Sequence, residues 1–342
     1  MKNKKNVLFT LDKFIEESLY NKKHGYYMKK NPFGKNGDFI TAPNISILFS
    51  EMIAIWVISF WEKLGCPKKF NLVELGAGNG EMMKILVNTF KNFSQFKNSC
   101  KINILEKSKL LKKIQKNNIK DEKIKWLNNF PSIFIANEFF DALPIKQFLK
   151  KDKKWHERHV KFVNDKDLEY LDIPFDMQKF EKKIKFKISY KQKFIEYSPL
   201  ATKYLETIIK KIKLSNGGIL IIDYAYLEKE MRNTLQAVSK HKYCDVLKGF
   251  SNSDITYNLS FNLINMIIEK LGSYSSLSTT QKKFLTKLGI LERAEILSKD
   301  IPFSQKADIY FRIKRLIDKS EMGHLFKVMF ITNHKNKFKL GF

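Results

Sequence analysis

The run Glu74-Leu75-Gly76-Ala77-Gly78-Asn79-Gly80 is the part of the chain best suited to hold a ligand. It follows a short apolar stretch and opens a helical pattern, the strand-to-helix context such a loop needs. Glycines there let the backbone approach a small molecule without Cβ clashes. The dinucleotide spacing GxGxxG would put its third glycine at position 81, which is Glu81; the spacing is ExGxGxG instead. Glu106 ends the next apolar run, where doubly wound sheets place an acidic residue to accept hydrogen bonds from ribose hydroxyls. It lies 28 residues beyond Gly78, against the usual ~20, and a longer first helix would account for the difference. A tight turn that merely needs glycine, and a solvated surface glutamate, are the plain alternatives.

A second constellation, Asn137-Glu138-Phe139-Phe140-Asp141, ends a later apolar run. That is the carboxyl edge where open α/β sheets bind substrates. It offers an amide and two carboxylates, three residues apart, beside two aromatic rings. Paired carboxylates suit the two-pronged donor face of a guanidinium. A base-methylating enzyme also places Asn and an aromatic at this point, in an NPPY-like loop, but both prolines are missing. A strand end capped by Asn137 and Asp141 is the structural alternative. His156, His159 and His334 lack metal-ligand spacing, so no metal is expected. No nucleophile elbow supports Ser-His-Asp hydrolysis, and His241 reads as a surface or core histidine.

These residues need a sheet to position them. From Phe70 the pattern alternates strand and helix. Strands are expected at Phe70 to Leu75, Ile102 to Glu106, Lys123 to Leu127, Ser132 to Asn137 and Gly218 to Tyr224, with helices over Glu81 to Phe90 and Ser108 to Lys116. Such alternation predicts a doubly wound α/β fold, a parallel sheet with helices on both faces. Leu325 to Thr332 reads as a last strand, an antiparallel edge. Upstream, Thr10 is placed to cap a helix whose apolar face is Leu11, Phe14, Ile15, Ser18 and Leu19. A glycine-punctuated loop follows from His24 to Pro43, and Asn44 is placed to cap a long apolar helix ending near Gly65. The fourth and fifth strands are about 80 residues apart, more than a crossover helix needs. Lys150 to Ser198 therefore reads as an inserted segment shaping a substrate site.

Composition bounds the function. The 342 residues carry 63 Lys+Arg against 35 Asp+Glu, a net charge of +28, with 44% hydrophobic residues and 29 Phe. That is enough apolar content for a large core, which excludes disorder as the main state. Only five of the basic residues are Arg: Arg158, Arg232, Arg293, Arg312 and Arg315. Abundant Lys, Asn, Ile and Phe point to codon drift in an AT-rich genome. A nucleic-acid groove would cluster Arg with aromatics, and no such cluster is seen, so a solvated lysine surface is the better reading. Cys66, Cys100 and Cys244 form no CxxC pair, which favours a reducing compartment over a disulfide scaffold or a cysteine zinc site. The start is lysine-rich without an apolar h-region or Arg, so neither a signal peptide nor a mitochondrial presequence is expected. Ile45 to Trp61 is interrupted by Ser46, Ser50, Glu51 and Ser59 and reads as a buried helix, not a membrane span.

Several motifs in one order resemble the MidA-like family of S-adenosylmethionine-dependent methyltransferases, whose mitochondrial branch is the complex I assembly-factor protein arginine methyltransferase. The matching stretches are His24-Gly25-Tyr26-Tyr27, Gly37 to Pro43, Glu74 to Gly80, Asn137 to Pro144, Ile222-Asp223-Tyr224 and Asn233 to Val238. They continue with His241, Asp254-Ile255-Thr256, Gln281, Met322 to Val328 and the final Gly341-Phe342. The chain differs where the family tends to have Gly-Pro-Gly-Arg-Gly (Gly76-Ala77-Gly78-Asn79-Gly80), Asp-Tyr-Gly (Asp223-Tyr224-Ala225) and an Asp at the position of Ser260.

The resemblance implies a seven-stranded class I, Rossmann-like methyltransferase core with N-terminal helices and inserted substrate-binding segments. Its expected parts are an N-terminal helical and active-site-loop segment over 1–65, a cofactor-binding half over 66–149, the inserted segment over 150–198 and the second half over 199–342. The cofactor is S-adenosylmethionine, bound by Glu74, Gly76, Gly78, Gly80, Glu106 and Asn137. Glu138, Asp141 and Asn137 would orient the acceptor, and Asp38 and Tyr27 would wall its pocket. The acceptor is a protein arginine, in the mitochondrial branch on a core subunit of NADH:quinone oxidoreductase, with no stable nucleic-acid or membrane partner. A bacterial cytoplasmic location is expected ahead of the mitochondrial matrix. An RNA or DNA methyltransferase, and a non-catalytic assembly chaperone, are the competing functions.

Overall fold

The computed structural model describes residues 7–34, 37–38, 40–119, 130–163, 167–272 and 274–342. The chain divides into two compact units, one of Asn31–Phe139, Thr207–Ala225 and Ser273–Phe342, the other of Met1–Lys30, Phe140–Glu206 and Tyr226–Gly272.

The first unit is built on a mixed sheet. From edge to edge, its described strands run Tyr274–Thr280, Phe326–Asn333, Gly217–Tyr226, Ser132–Asn137, Phe70–Leu75 and Cys100–Leu105. The last four are parallel to one another. Phe326–Asn333 is antiparallel to both of its neighbours. The expected terminal strand is therefore antiparallel but interior: Tyr274–Thr280, whose Ser- and Thr-rich sequence gave no apolar signal, covers it and forms the edge. The expected strand Lys123 to Leu127 lies outside the described residues.

Phe70–Leu75 and Ser132–Asn137 are buried along their whole length. Both faces of these strands are covered, which is why they read as continuous apolar runs instead of alternating ones. On one face Leu72, Ile104, Ile135, Ile222 and Phe330 join a hydrophobic core with the helix Ile47–Lys63. That helix is apolar nearly all round, as a buried helix must be. Its Trp56 is fully buried, stacks on Phe60 at 5.8 Å and meets Phe330 edge-on at 5.0 Å. Truncating such a side chain to Ala typically costs about 3–5 kcal/mol. The helix is capped by Ser46, whose hydroxyl accepts from the Leu48 N–H at 3.3 Å. Asn44 belongs instead to a separate turn of helix, Ala42–Ile45, and so does not cap the long one. The two segments are broken at Ser46, which is extended (φ −149°, ψ 135°).

The second unit carries an antiparallel sheet in the order Val7–Thr10, Lys154–Phe162, Lys146–Lys151, Phe194–Tyr197, with Leu168–Pro174 also paired to Lys154–Phe162. A smaller sheet contains Gln236–Ser239, Lys242–Cys244 and Asp254–Thr256. Helix Leu11–Tyr20 buries Leu11, Phe14, Ile15, Ser18 and Leu19, the face its spacing predicts. Thr10 precedes that helix, but its hydroxyl donates to the Asp12 carboxylate and makes no backbone cap. No helix among the described residues is long and apolar enough to cross a membrane.

Candidate active site

The glycine motif, Glu106 and Asn137 come from three segments far apart in sequence, and strand register brings them together. Phe70–Leu75 lies between Cys100–Leu105 and Ser132–Asn137, all parallel, with Leu75 opposite both Leu105 and Ala136. The residues that follow each strand therefore leave the sheet along one carboxyl edge.

The loop after Phe70–Leu75 needs its glycines. Gly76, Gly78 and Gly80 have φ of +65°, +52° and +82°, the left-handed region that side chains with a Cβ rarely adopt. A Cβ on Gly76 would meet the Phe139 ring at 2.7 Å, and one on Gly78 the Phe33 ring at 3.3 Å. The Gly76 N–H donates to the Leu105 carbonyl at 2.9 Å, fastening the loop to the next strand. Gly80 then opens helix Glu81–Phe90. A cavity beside this loop is walled by Phe33, Thr41, Pro43, Asn44, Glu74, Gly76, Gly78, Asn137 and Glu138, among others.

Two side chains in that wall present oxygens without a hydrogen-bond partner among the described residues. Glu74 is 3% exposed, and its Oε2 has no hydrogen-bond partner among the described residues. Burial, and secondarily the Glu106 carboxylate, push the Glu74 carboxyl up to about 8. The Asn137 Oδ1 is likewise buried without a partner among the described residues, while its Nδ2 donates to Glu138 Oε1 at 3.3 Å. Buried polar groups are normally paired, so an orphaned one at a functional edge points to a missing ligand.

Glu106 is better supported. Its Oε1 accepts from the Ser108 N–H at 2.8 Å and its Oε2 from the Gln115 amide at 3.1 Å. Burial raises its pKa, and those donors oppose the rise. The long interval from Gly78 is filled by an extra short helix, Ser94–Ser99, placed between Glu81–Phe90 and the next strand. The first helix is not itself lengthened.

Glu138 follows the Ser132–Asn137 strand with φ +49°. A left-handed glutamate is strained backbone that the surroundings must hold; its N–H donates to the Ile222 carbonyl at 2.9 Å. Its carboxylate accepts from the Ala42 N–H at 3.4 Å. Asp38 is buried, and its N–H donates to the Pro32 carbonyl at 2.8 Å.

Tyr27 and Asp141 fall in the second unit. The Tyr27 hydroxyl donates to Asp254 Oδ1 at 2.7 Å. Burial, then the Asp254 carboxylate, and to a smaller extent Tyr20 and Asp141, raise the Tyr27 hydroxyl well above its ordinary range. The Asn233 to Val238 motif is explained by Glu196, a buried carboxylate that accepts from the Thr234 N–H and hydroxyl and from Gln147. His241 sits at a turn with φ +62°.

The sequence reading missed Gln115 and Phe33 as parts of these clusters and did not join Asp254 to Tyr27. Asp254 stood in a quoted motif, and its partner Tyr27 in another. Phe33 and Gln115 carry no local signal, because their contacts are set by loop and helix packing.

A parallel sheet that presents a glycine cradle and flanking carboxylates at its carboxyl edge defines a protein that binds a nucleoside-bearing small molecule. The chain belongs to the family of S-adenosyl-L-methionine-dependent methyltransferases: the family model described as "Putative S-adenosyl-L-methionine-dependent methyltransferase" matches residues 52–278. The chain is 28% identical to the mitochondrial protein arginine methyltransferase NDUFAF7 of Xenopus tropicalis, over 93% of this chain and 81% of that one. It is also 28% identical to the Homo sapiens protein of that name, over 95% and 80% respectively. A crystal structure from Burkholderia thailandensis bound to S-adenosyl-homocysteine superposes with a TM-score of 0.80 at 22% identity, covering 98% of this chain and 90% of that one. The mixed α/β methyltransferase fold thus extends over nearly the whole chain, and S-adenosylmethionine is its cofactor.

Proposed function

We propose that this methyltransferase acts on a protein arginine, and that the acceptor belongs to a core subunit of respiratory NADH:quinone oxidoreductase. In this reading the core has the seven-stranded class I arrangement. Four parallel strands followed by an antiparallel one at the Gly217–Tyr226 side support it. The low cysteine content goes with a reducing compartment such as the bacterial cytoplasm.

The cofactor supplies an electrophilic methyl on a cationic sulfur. The residues present fit it. Gly76 and Gly78 let the loop pack against the Phe139 and Phe33 rings while its backbone lines the cavity. The orphaned acceptors Glu74 Oε2 and Asn137 Oδ1 suit an ammonium group. The Glu106 carboxylate, which accepts from Ser108, Gln115 and Lys107, has about four lone-pair sites and so keeps acceptor capacity for ribose hydroxyls.

The observation that carries the arginine reading is Glu138, an acidic side chain held in a strained conformation in the wall of the cofactor cavity. A carboxylate there attracts a guanidinium and repels phosphate. By accepting two N–H bonds it would fix which nitrogen faces the methyl donor, so that positioning supplies most of the catalysis. Asp141, three residues on in sequence, Tyr27 and Asp38 are the further acceptor residues that the family resemblance assigns. The likeness to relatives named protein arginine methyltransferase is independent support.

The test is transfer of a tritiated methyl group from S-adenosylmethionine into a lysate treated with nuclease or with protease. Label should survive nuclease and be lost with protease. The double variant Glu138→Gln, Asp141→Asn should keep cofactor binding while transfer falls by at least a hundredfold, about 3 kcal/mol of transition-state stabilisation. Nuclease-sensitive label, or full transfer by the double variant, overturns the assignment.

A further inference from the structure

Gln115 is a buried polar residue to which the reading above gives no task. It lies on helix Lys109–Asn118 and is 2% exposed. Its Nε2 donates to two acceptors, the Gly78 carbonyl at 2.9 Å and Glu106 Oε2 at 3.1 Å. Because both partners are acceptors, the amide nitrogen must face them. The hydrocarbon stem does a second job: a Cβ on Gly80 would meet Gln115 Cγ at 3.3 Å, so the loop closes onto this residue. Asn118, three residues on, donates to the Asn79 carbonyl at 2.8 Å. One helix thus fastens two consecutive carbonyls of the glycine loop.

We propose that Gln115 is a positioning residue for the cofactor: its amide joins the Glu106 carboxylate to the Gly78 carbonyl, so that the ribose acceptor and the loop backbone are held as one preformed surface. The proposal rests on the assignment of Glu106 to the ribose. Preforming a site lowers the ordering that binding must otherwise supply. The Gln115 donor also favours the charged form of Glu106 against the effect of its burial. The Ser108 and Lys107 N–H groups are the other donors on the Glu106 carboxylate, Lys112 acts on it from the same helix as Gln115, and Glu74 is the neighbouring carboxyl. Losing the Gln115 donor leaves the burial and the Ser108 and Lys107 bonds in place and moves Glu106 toward its neutral form.

Calorimetric titration with S-adenosylmethionine tests this without any turnover. Gln115→Met keeps the length and volume of the side chain and removes the donor. Affinity should fall roughly tenfold, and the loss of affinity on acidification should begin at higher pH than in the wild type. In a Glu106→Gln background the same change should cost less than twofold, because the residue acts through Glu106. Equal penalties in both backgrounds with an unmoved pH profile would overturn the proposal and leave Gln115 a packing residue. If Gln115→Met does not fold, Gln115→Glu keeps the shape. Its affinity should drop as pH rises through ionisation of the new carboxyl, and a pH-independent affinity overturns the proposal. A wild-type chain that binds no S-adenosylmethionine sinks the cofactor assignment as well; a wild type and variants that bind alike sink only the role of Gln115.

Discussion

Replacing Glu74 by Gln should stabilise the cofactor-free protein and weaken its grip on S-adenosylmethionine, with a pH dependence that identifies the cause. The carboxyl is 3% exposed and lies near a second carboxylate, and its pKa is raised from the ordinary 4.5 to about 8. Because the folded-state value is above the unfolded one, the folded chain binds the extra proton between those limits. The contribution of Glu74 to stability is full below about pH 4.5 and is lost as pH rises through 8. At ~1.36 kcal/mol per pH unit, the interval from 4.5 to about 8 corresponds to a loss of about 5 kcal/mol. Roughly 3 kcal/mol of that falls between pH 6 and pH 9. Gln keeps the shape and does not titrate. Urea unfolding of both proteins without cofactor, followed by tryptophan fluorescence, should show the stability gap moving in favour of Glu74→Gln by about 3 kcal/mol from pH 6 to pH 9. A gap constant across that range would mean that Glu74 is ionised throughout, and the reasoning from its burial would be wrong.

Binding the cationic cofactor should draw the proton off Glu74, so calorimetry at pH 7 in buffers of differing ionisation enthalpy should register release of nearly one proton per site, absent in Glu74→Gln. Gly78→Val places a branched side chain at φ +52° against the Phe33 ring; the folded variant should lose at least tenfold in cofactor affinity, and unchanged binding would remove the loop from the site. Glu106→Ala deletes a charged acceptor held by Ser108 and Gln115, for a loss of roughly 1.5–3 kcal/mol, or about ten- to a hundredfold in affinity. Binding within twofold of wild type would reduce Glu106 to a structural role.

The strands and helices that flank the site were legible because they are locally over-determined. Phe70–Leu75, Glu81–Phe90 and Ser132–Asn137 appear at the boundaries that apolar runs and glycine punctuation predict. Continuous burial on both sheet faces leaves no polar alternation to confuse such a reading. The glycine loop was equally plain, since only glycine tolerates three left-handed positions within five residues. By itself, then, the sequence determined the class of fold, the glycine loop and the acidic strand end at Glu106.

Tertiary structure alone decided what these groups are. Parallel register set Glu74, Glu106 and Asn137 along one edge, a fact about non-local pairing. Burial without a hydrogen-bond partner among the described residues turned Glu74 from an ordinary motif residue into a carboxyl pushed up to about 8. Helix packing put the Gln115 amide between Gly78 and Glu106, and a strained φ marked Glu138. The interior position of Phe326–Asn333 depended on a Ser/Thr-rich edge strand with no hydrophobic signal. Patterns in a sequence report which residues avoid water. Which polar groups face one another, and what charge they then carry, depends on distances that exist only after the chain has folded.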